Sequence, residues 1–257
     1  MFSMAILPLT VFLISLQLHT TIAAIQNLAF YGVWLGAGSN ASILRFESTL
    51  IIPSPSPDTS LEDNVQAFWP GLQPADNDGV FQNVVTNQGG KVGEWHLLPF
   101  SCCSPAKALT PQMRAVHPGD SLTNIFALDV PTGKWYDNYL VTPNRVGTGR
   151  EDGAVPYGGG FTFDPRDDAE LGEKPFTSTL MTIELQERGK WNFGAVEWRN
   201  ILVEANTTET KWCEDGPVLA GGHNFKRSFS MPTWNTVGAT TTCHIAQMIF
   251  EGPEKRR

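Results

Sequence analysis

The sequence is short of charge, and of positive charge in particular. Only 17% of its 257 residues are charged, and 26 Asp and Glu outnumber 18 Lys and Arg to give a net charge of −8. Ordinary soluble domains carry about 25% charged residues. A nucleic-acid partner requires a basic surface that displaces counterions from the phosphates. The composition therefore excludes nucleic acid as the expected partner.

Motifs that mark the common enzyme classes are also missing. The chain contains no G-x-S-x-G, H-E-x-x-H, P-loop or G-x-G-x-x-G. Its cysteines form no C-x-x-C pair and its histidines stand singly, so no zinc-ligand spacing is present. No metal or cofactor is expected. The histidines interpreted as structural or surface residues are His96, His117, His223 and His244.

A long hydrophobic segment is absent as well. The apolar run 5–16 is shorter than the roughly 20 residues that span a bilayer, and the small pair Ala23 and Ala24 follows it. This pattern predicts a signal peptide at 1–23 and a single domain at 24–257. Sequons at Asn40 and Asn206 predict glycosylation. We therefore expect a secreted protein of the secretory pathway with no membrane span, and the oligomeric state stays open.

Four cysteines lie after the leader, at Cys102, Cys103, Cys213 and Cys243. An even number behind a signal peptide predicts disulfides. A direct bond between Cys102 and Cys103 strains the ring that it closes. The expectation is that these two pair with Cys213 and Cys243.

Helical periodicity is nearly absent after the leader, whereas β-forming and aromatic residues are abundant, with 15 Phe and 8 Trp. Short alternating runs separated by turn residues predict an all-β, two-sheet antiparallel sandwich. The predicted strands cover 43–52, 65–72, 79–85, 93–100, 122–130, 135–141, 179–185, 193–198 and 243–250. The segment 143–175, rich in Gly, Pro and Asp, is interpreted either as a functional rim or as a disordered insertion.

Several short motifs resemble those of the eqolisin, or glutamic peptidase, family. They are 31–34 (Tyr-Gly-Val-Trp), 67–72 (Ala-Phe-Trp-Pro-Gly-Leu), 79–85 (Gly-Val-Phe-Gln-Asn-Val-Val), 117–122 (His-Pro-Gly-Asp-Ser-Leu), 181–185 (Met-Thr-Ile-Glu-Leu) and 191–196 (Trp-Asn-Phe-Gly-Ala-Val). The resemblance implies a concanavalin-like or jelly-roll sandwich with a catalytic groove on its concave sheet. Trp69 matches the family's W-x-G segment, and Gln82 and Glu184 match its catalytic Gln/Glu dyad. A structural role in a half-buried strand is the alternative for both dyad positions.

The sequence departs from the family pattern where further groove acids are expected. Thr86 and Leu97 stand at positions that the pattern gives to Asp and Glu. Period-two alternation places Trp95 and Leu97 on one strand face, and Gln82 and Val84 on one face of the neighbouring strand. If these face the groove with Trp69, they form an apolar trough that suits hydrophobic small-molecule substrates. Burial in the core is the alternative for the aromatic positions.

The leader, the aromatic content and the segments 68–72 and 100–105 (Phe-Ser-Cys-Cys-Ser-Pro) look like the fungal hetero-Diels-Alderases of tropolone sesquiterpenoid biosynthesis. The resemblance implies an enzyme of secondary metabolism that joins an o-quinone methide to a humulene-type alkene, mainly by orienting both. It assigns no catalytic residue. The alternatives are an acid-active glutamic endopeptidase and a secreted carbohydrate-binding sandwich.

Overall fold

The computed structural model describes residues 27–38, 40–54, 64–76, 79–89, 91–102, 107–108, 113–144, 154–167, 171–220 and 222–253. The described residues form two sheets in which all named strands pair antiparallel. The predicted all-β, two-sheet sandwich is therefore confirmed. The proposed signal peptide lies outside the described residues. Within the described part of the chain, no helix has the length and apolarity to cross a bilayer.

Sheet A runs in the order β13, β1, β11, β3, β4, β5 and β6, with β7 also paired to β5. Its strands are β1 (Ala29–Gly36), β3 (Asn64–Pro74), β4 (Val80–Thr86), β5 (Trp95–Cys102), β6 (Lys107–Ala108), β7 (Arg114–Val116), β11 (Phe176–Glu187) and β13 (Val218–Ala220).

Sheet B runs in the order β10, β9, β8, β2, β12, β16 and β14, with β15 also paired to β16. Its strands are β2 (Ile43–Ile51), β8 (Ser121–Asp129), β9 (Lys134–Thr142), β10 (Tyr157–Phe163), β12 (Val196–Ala205), β14 (Phe225–Phe229), β15 (Thr233–Val237) and β16 (Thr240–Pro253). A short helix α1 (Lys211–Glu214) and a 3-10 turn (Pro165–Asp167) complete the described elements.

The core lies between the two sheets and is largely aromatic. The Phe81 ring of sheet A contacts the Phe126 ring of sheet B at 5.1 Å between centroids, and Phe126 stacks on Phe46 at 5.8 Å. All three side chains are fully buried. These contacts identify the core-facing residues of β2, β4 and β8. Because successive side chains of a strand point to opposite faces of the sheet, the residues between them point outward.

Segment 143–175 is partly regular. Strand β10 pairs with β9 along its full length, from Tyr157 opposite Val141 to Phe163 opposite Trp135. Phe163 is buried against Phe81 at 4.5 Å. The described portion is therefore part of the sandwich and not a disordered insertion, although its Gly-rich sequence gave no strand signal.

The expected cysteine pairing is wrong. Cys213 bonds to Cys243, with 5.6 Å between their Cα atoms. The β15–β16 hairpin explains this, since it pairs Trp234 with Cys243 while the Cys213 Sγ atom on α1 lies 3.5 Å from the carbonyl oxygen of Thr233, next to Trp234. Cys102 is the last residue of β5. The predicted disulfides of Cys102 and Cys103 concern side chains outside the part of the chain that the structure describes.

The two sequons lie side by side on the surface. Asn40 and Asn206 are exposed, the Ser42 amide donates to Asn206 Oδ1, and the Asn206 amide donates to the Ser42 carbonyl. Both asparagines are exposed and lie in the same region of the surface. Their glycosylation stays a prediction.

Candidate functional site

The outer face of sheet A carries the residues that the sequence singled out. Because Phe81 and Val85 of β4 point into the core, Gln82, Val84 and Thr86 point outward. An outward face of a sandwich is normally solvated, yet Gln82 is 3% exposed. Neighbouring protein atoms therefore cover Gln82 on this face and keep it from water.

A second apolar cluster, separate from the core, occupies this outer face. It comprises Ala67, Trp69, Val80 and Leu180, with Phe30, Val84 and Ala220 packed against it. Such a buried apolar surface with few polar groups has the composition of a small-molecule site.

Register divides the outer face into three cross-strand rows, which we name by their most distinctive residue. The glutamine row holds Trp34, Leu180, Gly71, Gln82 and Phe100. The tryptophan row holds Gly32, Thr182, Trp69, Val84 and Leu98. The histidine row holds Phe30, Glu184, Ala67, Thr86 and His96.

Gln82 is the buried polar group of the glutamine row. Its Oε1 atom has no hydrogen-bond partner, and its strand neighbours in the row are Gly71 and Phe100. A buried amide oxygen without a donor costs free energy, so a ligand that supplies a donor is favoured here.

Glu184 is already engaged. The Trp69 indole donates from Nε1 to Glu184 Oε2 at 3.0 Å, and Gln186 Nε2 donates to Oε1 at 2.5 Å. Both carboxylate oxygens therefore have donors from the protein. This arrangement orients the Trp69 ring in the apolar cluster.

Gln82 and Glu184 share a face but not a row. Leu180 of β11 is in the same row as Gln82, and Glu184 lies four residues further along β11, which is about 13 Å of strand. In addition, β3 lies between β11 and β4. Trp69 occupies the row between them. A Gln/Glu dyad requires both groups at one water molecule, and the structure does not bring these two together in that way.

Trp95 and Leu97 are not on the groove face, which corrects the expected trough. Leu97 pairs with Val85, which faces the core, whereas Gln82 pairs with Phe100. Both Trp95 and Leu97 lie in the inter-sheet core at 1% and 0% exposure. Period-two alternation divides the side chains of a strand between two faces but does not show which face points into the core. The register between β4 and β5 decides this.

Replacing Trp95 with phenylalanine is expected to lower the free energy of unfolding by about 2 kcal/mol, from lost packing and a lost hydrogen bond. The Trp95 indole packs on Phe68 at 4.8 Å and donates to the Ser54 carbonyl at 3.1 Å. Urea denaturation checks the value. Trp34→Phe, at a residue 40% exposed, is the matched control with little expected effect. Unchanged stability in Trp95→Phe would contradict the core placement.

His96, expected from the sequence to be a structural or surface residue, lies on the outer face of sheet A beside Thr86. It is 7% exposed, and its Nδ1 atom has no partner. Burial lowers the pKa of His96, and the nearby Glu94 carboxylate opposes that shift. The imidazole is therefore held neutral. The sequence could have shown this position, because His96 pairs with Thr86, and Thr86 lies an even number of residues from Gln82 on β4.

A separate cavity of about 290 Å³ opens at one end of the sandwich, beside Trp135 and Phe176. Its two cations are already paired, Arg166 with Asp164 at 2.6 Å and Lys174 with Asp76 at 2.6 Å. None of the residues predicted from sequence lines it.

Exposed tryptophans, which a sugar-binding platform needs, are on different sheets. Trp34 of sheet A is 40% exposed and Trp234 of sheet B is 46% exposed. They do not form one stacking surface.

Comparison with known proteins gives structural neighbours only. No family model matches the chain, and no curated protein matches it. A Scytalido-glutamic peptidase with a peptide-based transition state analog is similar over 86% of this chain and 99% of its own, at 13% identity and a TM-score of 0.46. SCP-B, a member of the Eqolisin family of peptidases in complex with the tripeptide Ala-Ile-His, gives the same values.

The CBM2 module of an evolved Dit from Lactobacillus casei BL23 phage J-1 is similar over 84% of this chain and 64% of its own. Its identity is 8% and its TM-score 0.35. At these identities the likeness concerns the fold and not the activities of those proteins.

Proposed function

We propose that the chain is a hetero-Diels-Alderase of the secretory pathway that joins a tropolone-type o-quinone methide to a humulene-type sesquiterpene. The observation that carries the proposal is Gln82. It is a buried amide with an unpartnered Oε1 atom, next to an apolar cluster formed by Trp69, Val80, Val84 and Leu180.

The chemistry of a cycloaddition fits such a surface. One carbon–carbon and one carbon–oxygen bond form between the heterodiene and the alkene, and no atom leaves, so no acid, base or nucleophile is obligatory. Holding two apolar partners in a reactive pose supplies most of the rate gain. The apolar cluster provides that contact area. The Nε2 group of Gln82 donates a hydrogen bond to the carbonyl oxygen of the heterodiene, and its unpartnered Oε1 atom accepts one from a hydroxyl group of the substrate.

Glu184 and Trp69 act in this proposal as a positioning pair. The carboxylate accepts from the indole Nε1 and so fixes the ring that separates the glutamine row from the histidine row. The fixed ring then lies in the row next to Gln82.

Incubating the protein with humulenol and a precursor that releases the quinone methide spontaneously in buffer tests the proposal. A single stereoisomer of the adduct, formed faster than in buffer, is expected by chiral chromatography. An isomer mixture identical to the buffer reaction would overturn it.

Casein digestion at low pH provides the opposing assay. Cleavage by the wild-type protein that disappears in Glu184→Gln would favour a glutamic peptidase instead. The separation of Gln82 and Glu184 by the tryptophan row leads us to expect no such cleavage.

A further inference from the structure

His96 presents an acceptor that the protein leaves unused. Register places its side chain on the outer face of sheet A, opposite Thr86 of β4 and Ala115 of β7. The residue is 7% exposed, and Nδ1 is buried without a hydrogen-bond partner.

The other ring nitrogen faces an acid. Glu94 Oε2 lies 3.8 Å from His96 Nε2. This separation is too long for a hydrogen bond, but the negative charge near Nε2 favours the tautomer that carries its proton there, which leaves the Nδ1 lone pair as an acceptor. The free acceptor and its orienting acid are both set by the protein before a ligand binds.

Small side chains lie in the same row as this acceptor. In the histidine row, Ala67 and Thr86 separate Glu184 from His96, and the bulkier Trp69 stands in the next row. About 13 Å of β4 separates the Thr86 position from Gln82. A planar molecule that lay along the apolar cluster would have its polar end at His96.

We propose that His96 is a positioning residue that recognises an acidic hydroxyl, of the phenol or enol class, on the bound planar molecule. The hydroxyl donates to Nδ1 and fixes one end of the ligand, while the ring contacts Val84 and Trp69. This inference rests on the proposed function, because it assumes that the outer face of sheet A is the ligand site.

Calorimetric titration of 1-naphthol and its methyl ether, 1-methoxynaphthalene, tests the inference. The wild-type protein should bind the hydroxyl compound about 10-fold more tightly than the ether at pH 7. His96→Phe should reduce this preference to less than about 2-fold and leave the affinity for the ether unchanged. His244→Gln, on β16 of sheet B, is the matched histidine control and should retain the preference.

The pH dependence supplies a readout that a purely structural role would not move. Protonated Nδ1 donates instead of accepting, so 1-naphthol binding should weaken as the pH falls through the pKa of His96, whereas ether binding should not. Of the described groups, Glu94 raises that pKa through its carboxylate charge and through a hydrogen bond with its backbone, and His117 lowers it, while Thr86 and Ala115 do not titrate. Only the charge of Glu94 is lost in Glu94→Gln. Glu94→Gln should therefore shift the loss of binding to lower pH.

Each outcome is decisive. An unchanged preference in His96→Phe, or a pH profile that does not shift in Glu94→Gln, would overturn the role of His96 and leave the proposed function standing. If His96→Phe does not fold, His96→Gln, which keeps an acceptor oxygen, and the Glu94→Gln profile carry the test. If Val84→Arg leaves the binding of both probes unchanged, the outer face is not the ligand site, and the proposed function fails with the inference.

Discussion

Replacing Gln82 with leucine is expected to slow adduct formation by about 100-fold or more, since one preorganised donor at a developing negative charge is worth about that much. The buried position of Gln82 strengthens the effect, because little water is present to replace the lost amide. Leucine is of similar size and suits the adjoining apolar cluster. The measurement is the rate and stereochemical ratio of the adduct from the quinone methide precursor and humulenol.

Gln247→Leu serves as the control for that result. Gln247 is an exposed glutamine on β16 of sheet B, so its loss should leave the rate unchanged. Thermal unfolding of both variants separates a catalytic effect from a loss of structure. A Gln82→Leu protein that folds and retains the full rate would show that the amide takes no part in the reaction.

The second large effect concerns Asp137, which links the two sheets behind Gln82. Asn83, the next residue on β4, points into the core and donates from Nδ2 to Asp137 Oδ1 at 2.9 Å and to Asn124 Oδ1 at 3.1 Å. Burial raises the pKa of Asp137 to about 7, with the hydrogen bond from Asn83 acting in the opposite direction. The folded state therefore prefers the protonated acid.

The sign of the pH dependence follows from that preference. Between the ordinary value of 3.8 and about 7, the folded protein holds a proton on Asp137 that the unfolded chain has released. The contribution of Asp137 to stability is therefore greatest below pH 4 and falls as the pH rises to 7. A difference of about three pKa units means that the free energy of unfolding is about 4 kcal/mol lower at pH 8 than below pH 4 because of this group.

Asp137→Asn should remove this dependence, because the amide keeps the shape of the side chain without titrating. We expect the variant to be more stable than the wild type at pH 8 and to lose that advantage at pH 4.5, as measured by urea denaturation at both values. An infrared band from a buried protonated carboxyl, present in the wild type at pH 5 and absent in the variant, provides an independent check. Parallel stability profiles for the two proteins would contradict the assignment.

Local alternation was sufficient to locate most of the central strands. The runs at 43–52, 65–72 and 79–85 match β2, β3 and β4 closely, because strands flanked by Pro and Gly turns carry a period-two signal in the sequence itself. The predicted strands do not include β1, β6, β7, β10, β13, β14 and β15. Most of these are short or contain Gly, and pairing with neighbouring strands defines them.

The sequence alone determined the all-β class, the two-layer sandwich and the set of polar groups available for a site, because these follow from alternation and composition. Only the tertiary structure decided which face of each strand is inner, that Trp95 packs in the core, that His96 joins Gln82 on the outer face, and that Cys213 bonds to Cys243. The physical reason is that register between distant strands sets these outcomes, and a shift of one residue in pairing exchanges the two faces of a strand.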